Sequence, residues 1–165
     1  MSQSPRSKPS PSPEKLSGDG LRSRALRLLA RREHSRRELQ HKLLPLAADP
    51  DEIERLLDEL AARGWLAERR VAEQLIHARR GRFGAGRIRQ ELLAKGVAEE
   101  VVEAALPELK AGELEAARAV WQRKFKAAPS NAKERARQVR FLQGRGFSME
   151  TIMKVMRSAG VDDES

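Results

Sequence analysis

The 165-residue chain has no cysteine and no tyrosine, and aromatic residues make up only 4% of it. The absence of cysteine excludes disulfide bonds and thiolate metal sites, and nothing points to an oxidising compartment. So few aromatic rings argue against the base-stacking platforms of dedicated single-strand binders. Any contact with nucleic acid is therefore expected to be weak, indifferent to sequence and mainly with phosphates.

Long apolar runs and nucleotide-binding loops are also missing. No segment approaches the roughly 18 apolar residues that a membrane span needs, and the N-terminus has no hydrophobic signal region. We therefore expect a cytoplasmic protein that makes no contact with a membrane. The glycine-rich run GRFGAGR at 81–87 lacks a preceding strand and the Lys and Ser/Thr of a Walker loop. Its glycines are interpreted as a loop between helices.

The sequence repeats itself at intervals of about 50 residues. Leu92 and Gly96, for example, recur 50 residues later as Leu142 and Gly146. Self-similarity at a fixed period is typical of stacked units that cannot bury their apolar faces alone. We therefore predict three tandem repeats, at 21–66, 67–110 and 111–160, stabilised by stacking. They follow a disordered Ser/Pro-rich tail (1–20) and precede an acidic end (161–165) that contains Asp162, Asp163 and Glu164.

Apolar periodicity predicts three helices in each repeat. The first helix has a short stripe at i, i+3 and i+4, formed by Leu26, Leu29, Ala30; Ala72, Leu75, Ile76; and Ala117, Val120, Trp121. The third helix has a stripe that extends to i+7, formed by Ile53, Leu56, Leu57, Leu60; Val102, Ala105, Leu106, Leu109; and Ile152, Val155, Met156, Ala159. The predicted fold is all-α, with three tandem three-helix repeats forming an elongated, curved array.

Residues at the predicted helix ends support this division. Four side chains are suited to cap helix N-termini: Ser35, Asp49, Asn131 and Ser148. Gly96 and Gly146 are suited to left-handed turns between second and third helices, and Ala47 with Pro45 predicts a different turn in the first repeat. We expect Trp65, which follows Gly64, to pack against the second repeat.

Basic residues outnumber acidic ones by 33 to 24, for a formal net charge of +9. This excess favours a polyanionic partner, either nucleic acid or an acidic protein surface. Lys133, Arg137 and Arg140 recur at i, i+4 and i+7 and predict a positive stripe on one helix, whereas acidic residues balance the first repeat. The candidate contact residues lie in the second and third repeats: Arg79, Arg80, Arg82, Arg87, Arg89, Arg118, Arg123, Lys124, Lys126, Lys133, Arg135, Arg137, Arg140 and Arg145.

Candidates for catalysis or metal binding are few. His34, Glu38 and His41 have a spacing that a metal could use, but His34 precedes the predicted N-cap Ser35 and no fourth ligand is evident. His77 is interpreted as a polar neighbour of a basic face. We therefore expect no metal, no cofactor and no enzymatic activity, and nothing in the sequence signals a dimer, so a monomer is expected.

Four segments, in this order and spacing, carry a family resemblance: ALRLLARREHSRRELQHKL, GWLAERRVAEQLIHAR, GAGRIRQELLAKGV and KERARQVRFLQGRGFSMETIMKVM. Over residues 21–160 the chain resembles the bacterial regulatory protein family RecX. The resemblance implies three tandem three-helix repeats that bind in the groove of a RecA filament on DNA. It also implies inhibition of the RecA ATPase, strand-exchange and coprotease activities, in recombination and the SOS response.

The chain departs from the family pattern after Gly64, where Ala67 and Glu68 stand in place of the usual Asp. We expect Glu68 to interact instead with the N-terminal dipole of the next helix. Two other functions stay open on the sequence. One is a sequence-tolerant DNA-binding module of helix-turn-helix type. The other, poorly supported, is a metal-dependent nuclease.

Overall fold

The computed structural model describes residues 14–161, which form nine α-helices in three units of three, as predicted. The first unit contains α1 (Gly18–Arg31), α2 (Arg36–Leu43), a 3-10 turn (Leu44–Leu46) and α3 (Pro50–Ala62). The second contains α4 (Glu68–Arg79), α5 (Ala85–Ala94) and α6 (Glu99–Ala111), and the third α7 (Glu113–Lys124), α8 (Ala132–Gly144) and α9 (Met149–Val161). None of these helices is long and apolar enough to cross a membrane.

Helical structure is present before residue 21, where the first repeat was predicted to begin. Helix α1 begins at Gly18, and Leu16 pairs with the 3-10 turn through two backbone hydrogen bonds. The Leu16 N–H donates to the Leu46 carbonyl at 2.7 Å, and the Ala48 N–H donates to the Leu16 carbonyl at 2.9 Å. Residues 14–20 therefore belong to the first repeat. The rest of the predicted tail and residues 162–165 of the predicted acidic end lie outside the described residues.

The predicted helix caps are confirmed. Ser35 and Glu38 form a reciprocal capping box, with N···O distances of 3.1 and 3.2 Å between each backbone N–H and the other side chain. The remaining three caps accept a backbone N–H two or three residues further on: Asp49 from Asp51, Asn131 from Glu134 and Ser148 from Thr151. Each of these four helices therefore begins where its own local sequence places it.

Each repeat has its own apolar core, because its three helices bury their stripes against one another. The third-helix stripes of α3 and α9 are fully buried, whereas Ala105 and Leu106 of α6 are only partly buried. The stripe predicted for α1 is wrong in part: Leu21 and Ala25 are completely buried, and Ala30 is exposed. The buried face of α1 is therefore the one that contains Leu21, Ala25 and, partly buried, Leu28.

The joints between repeats are made of helix ends and glycine turns, which corrects the prediction of apolar stacking. At the first joint, the Ser35 hydroxyl of α2 donates to the Lys95 carbonyl at the end of α5. At the second joint, the Gly84 N–H donates to the Arg145 carbonyl at 2.8 Å. Gly146 has φ +86°, and a Cβ there would overlap the Cβ of Arg87, so the turn requires glycine for two reasons.

The second joint also contains a buried carboxylate, Glu113, at the start of α7. Its Oε2 accepts hydrogen bonds from the hydroxyls of Ser148 (3.0 Å) and Thr151 (2.7 Å). Its Oε1 accepts from the backbone N–H groups of Ala85 (3.2 Å) and Ser148 (3.4 Å). Because α5 begins at Ala85 and Ser148 caps α9, this one carboxylate stabilises the N-termini of two helices from different repeats.

One prediction for the link between the first and second repeats is corrected. Trp65 is 44% exposed beneath the guanidinium of Arg63, and the neighbouring Leu66 is buried in the first core instead. Glu68 lies in the first turn of α4, as predicted, and its carboxylate also accepts a hydrogen bond at 2.6 Å from the N–H of Ala98, the N-cap residue of α6. The 3-10 turn at Pro45 and Ala47 confirms that the first repeat builds this turn differently.

Candidate polyanion-binding surface

Positive charge is concentrated in the third repeat. Residues 111–161 contain eleven Lys and Arg against four Glu. By contrast, residues 21–66 contain ten basic and eight acidic residues, and residues 67–110 contain nine and seven. The third repeat therefore has most of the electrostatic attraction for an anionic partner.

Three of the predicted contact residues of the second repeat are neutralised within the chain. Arg79 pairs with Glu91 at 2.9 Å, and Arg80 pairs with Glu108 at 2.8 Å. Arg89 pairs with both Glu99 and Glu103, at 3.2 and 3.0 Å. The hydrogen bonds from Arg79 lower the pKa of the Glu91 carboxyl, so this pair stays charged near neutral pH. These three arginines are therefore less available to a partner than the lack of acidic residues beside them in the sequence indicates.

The predicted contact residues of the third repeat have no such compensation. Among the described residues of this repeat, Lys154 alone forms an ion pair, with Glu150. Arg123 donates to the Gly81 carbonyl at 2.9 Å, and Arg135 contacts the Met153 sulfur at 3.6 Å. Neither contact neutralises charge. The basic side chains of this repeat therefore keep their charge available to a partner.

A cleft of about 270 Å³ lies where the second and third repeats meet. Val120 and Phe141 form its apolar part, and Arg82, Arg123, Lys124 and Arg145 supply the charge without any carboxylate. Such a group of cations in a partly apolar cleft suits a phosphate or carboxylate of a larger partner.

Phenylalanine rings hold several of these cations in place. The guanidinium of Arg145 lies 5.3 Å from the ring centre of Phe83 and 5.4 Å from that of Phe141. Arg87 lies over Phe83 at 4.3 Å, and the Lys124 ammonium lies 5.8 Å from Phe141. Cation–π contacts restrict the side chains but leave their N–H groups free to bind an anion.

The cleft continues into two neighbouring depressions. Arg82 also lines a depression with Arg87 on the second repeat, and Lys124 also lines one with Lys126 and Arg137 on the third. Each depression also contains one carboxylate, Glu91 in the first and Glu134 in the second. We call this continuous surface the basic path; its members are Arg82, Arg87, Arg123, Lys124, Lys126, Arg137 and Arg145. An extended anionic ligand could follow it across the second joint.

The stripe predicted on α8 is exposed as expected. Lys133, Arg137 and Arg140 all face solvent, and Leu142 is completely buried on the opposite side of the helix. Arg137 lies 5.5 Å from the ring of Phe125 and so belongs to both the stripe and the basic path. The exposed Arg118 and Arg135 lie outside the basic path.

The sequence predictions missed the phenylalanines of this surface. Phe83, Phe125 and Phe141 each directly follow a basic residue, namely Arg82, Lys124 and Arg140. A basic residue next to an aromatic one was the local signal for them. Low aromatic content excluded stacking platforms but did not exclude rings that orient cations.

His34 has a structural role. It is completely enclosed, its Nδ1 donates to the Arg32 carbonyl at 3.0 Å, and its Nε2 lies 3.2 Å from the Lys42 ammonium. Burial lowers the pKa of His34, so the ring is neutral and Nε2 accepts from Lys42. Within residues 14–161, no three His, Asp or Glu side chains come together around a point that could hold a metal.

Models of the RecX family match the chain in all three repeats. The first RecX three-helix domain matches residues 22–60, the second 68–106 and the third 111–156. A regulatory protein RecX from Leptothrix cholodnii is 52% identical over 139 residues, covering 84% of this chain and 88% of that protein. The corresponding protein from Herbaspirillum seropedicae is 44% identical over 144 residues, covering 87% and 94%.

Solved structures show the same fold. The crystal structure of RecX from Lactobacillus salivarius matches with a TM-score of 0.74 at 19% identity, covering 87% of this chain and 96% of that one. A second crystal structure of a regulatory protein RecX matches with a TM-score of 0.71 at 21% identity, covering 84% and 72%.

Proposed function

The chain belongs to the RecX family of regulatory proteins, and from that premise we propose that it binds the RecA filament on DNA and inhibits its ATPase, strand-exchange and coprotease activities. Members of this family are regulators and not enzymes. We place this action in the cytoplasm, during recombination and the SOS response.

The observation that best supports this proposal is the excess positive charge of the basic path. A protein–DNA filament presents regularly spaced phosphates and carboxylates along a groove. The basic path is continuous across the second joint, and none of its members pairs with a carboxylate among the described residues. Because none of these cations is held in an ion pair, binding of an anionic partner releases counterions and becomes steeply salt-dependent.

Inhibition follows from preferential binding to one state of the filament. A ligand shifts an equilibrium only by its differential affinity for the two states. If the chain binds best to a filament state that hydrolyses ATP and exchanges strands poorly, it increases the population of that state. No catalytic residue is needed for this effect.

The same charges would also serve a sequence-tolerant DNA-binding module, which is the alternative function. That alternative differs in one measurable respect. A module for naked DNA needs no RecA for tight binding, whereas a regulator of the filament uses contacts with both components.

Titrating the protein into a RecA ATPase assay on single-stranded DNA tests the proposal. We expect a progressive loss of ATP turnover, because each bound molecule contacts an assembled polymer and not one free subunit. The control without RecA should show no hydrolysis. An unchanged RecA rate, at concentrations that saturate binding to naked DNA, would favour the DNA-binding alternative.

A further inference from the structure

A second surface, which is apolar where the basic path is charged, lies between α4 and α6. It is a groove of about 500 Å³ whose floor is formed by Ala72, Ile76, Val101, Ala104 and Ala105. Ile76, Val101 and Ala105 are only partly buried, although each belongs to an apolar stripe or core edge. The second repeat thus leaves apolar surface uncovered that a closed three-helix unit would normally bury.

The first repeat has a smaller depression, of about 280 Å³, at the equivalent place between α1 and α3. Four α6 positions of the larger groove, Val101, Ala104, Ala105 and Glu108, correspond 49 residues earlier to Glu52, Arg55, Leu56 and Glu59 of α3. In the first repeat these positions are large or charged, and Glu59 forms an ion pair with Arg22 of α1. Three of these positions, Val101, Ala104 and Ala105, have smaller apolar residues in the second repeat, so the larger size of its groove comes from its side chains.

The rim of the groove is acidic, although the chain as a whole has a net charge of +9. Glu73 pairs with Arg69 at 3.0 Å, and Glu108 pairs with Arg80 at 2.8 Å. Glu100 has neither an ion pair nor a side-chain hydrogen bond within residues 14–161. Two of the three rim carboxylates are therefore neutralised, and Glu100 provides one unpaired negative charge beside the apolar floor.

We propose that this groove binds an amphipathic α-helix of a partner protein, with an apolar stripe on the floor and Lys or Arg beside the carboxylates. Alanines on the floor allow a helix backbone to approach closely, and the stripe of a helix suits an elongated groove between two helices. The basic path and this acidic groove are then separate contact surfaces of opposite charge preference. This inference is independent of the proposed action on RecA.

The test uses fluorescently labelled synthetic helices, one made of Leu and Lys and one of Leu and Glu in the same pattern. We expect saturable anisotropy binding of the Leu–Lys helix in the groove. The Leu–Glu helix is expected to bind the basic path instead, so its binding should not change when the groove is filled. The groove is filled by giving it the residues of the first repeat, Ala104→Arg with Ala105→Leu. This double variant should weaken binding by at least about tenfold.

The matched control is Ala61→Arg, an exposed position of α3, which should bind the Leu–Lys helix like the parent. Thermal melts establish that both variants are folded. If the double variant unfolds at a lower temperature than the parent, Glu100→Lys replaces it, because this substitution reverses the charge of an exposed residue at the rim of the groove. Equal binding of the Leu–Lys helix by the filled and parent proteins, or an equal loss of both helices when the groove is filled, would overturn the proposal. So would a dimer in sedimentation that the filled variant loses, because the occupant would then be a second copy.

Discussion

Reversing Lys133, Arg137 and Arg140 to Glu is expected to weaken binding to the RecA filament on the order of tenfold or more at low salt. The three side chains are exposed on α8 and none pairs with a carboxylate in the described chain. The reversal therefore exchanges attraction for repulsion at three neighbouring positions. The difference in binding between variant and parent should shrink as salt is added, because screening weakens both the attraction in the parent and the repulsion in the variant. Inhibition of the RecA ATPase, measured for both proteins across a salt series, tests this expectation.

The matched control reverses Arg24, Arg27 and Arg31 of α1, which are exposed and form no ion pair within residues 14–161. It changes the net charge by the same amount on the first repeat. Arg36 is unsuitable, because it pairs with Glu54 and Asp58 at 2.8 and 2.7 Å. Both triple variants should unfold near the parent's temperature, as exposed substitutions do. Equal losses of inhibition would show that net charge, and not the third repeat, governs binding.

Replacing Glu113 by Ala is expected to destabilise the protein by about 2–4 kcal/mol. The substitution removes the acceptor of four hydrogen bonds at the second joint, from Ala85, Ser148 and Thr151. The backbone N–H of Ala85 and the hydroxyl of Thr151 are buried, so losing this acceptor leaves them with the cost of desolvation. Chemical unfolding at neutral pH measures the loss.

Glu115→Ala is the control for Glu113, since Glu115 lies on the same helix and is exposed. It should change the free energy of unfolding by no more than about 0.5 kcal/mol. If both variants unfolded alike, the carboxylate of Glu113 would have no special role in joining the second and third repeats.

Features that depend on near neighbours were predictable from the sequence. The capping box of Ser35 and Glu38 is formed within a single helical turn, and the stripe of α9 needs only a period of 3.6 residues. The left-handed turn at Gly146 follows from a similarly local requirement. These interactions determine where helices begin and end before any tertiary contact forms.

Features that depend on distant partners were not predictable. Glu113 looks like an ordinary acidic residue of a first helical turn, but its partners lie 28 to 38 residues away. Arg80 has no acidic residue near it in the sequence and pairs with Glu108 across the second repeat. The separate cores and polar joints have the same origin, since periodicity shows which face is apolar but not what covers it.

In the candidate site, too, local features were predictable and long-range ones were not. The exposure of Lys133, Arg137 and Arg140 follows from helical spacing alone. Whether a cation is neutralised depends on the neighbouring helix, which is why Arg79 and Arg89 looked equivalent to Arg82. The groove between α4 and α6 was missed because Ala105 was assigned to the core, although only a larger side chain would close that position.

The most direct measurement of the central claim compares affinities for RecA-coated and naked single-stranded DNA of the same length, at one salt concentration near physiological. A regulator of the filament should bind the coated strand more tightly, by on the order of tenfold or more, because it contacts carboxylates of the protein as well as phosphates. Equal affinity for the two forms, or tighter binding to the naked strand, would contradict the account.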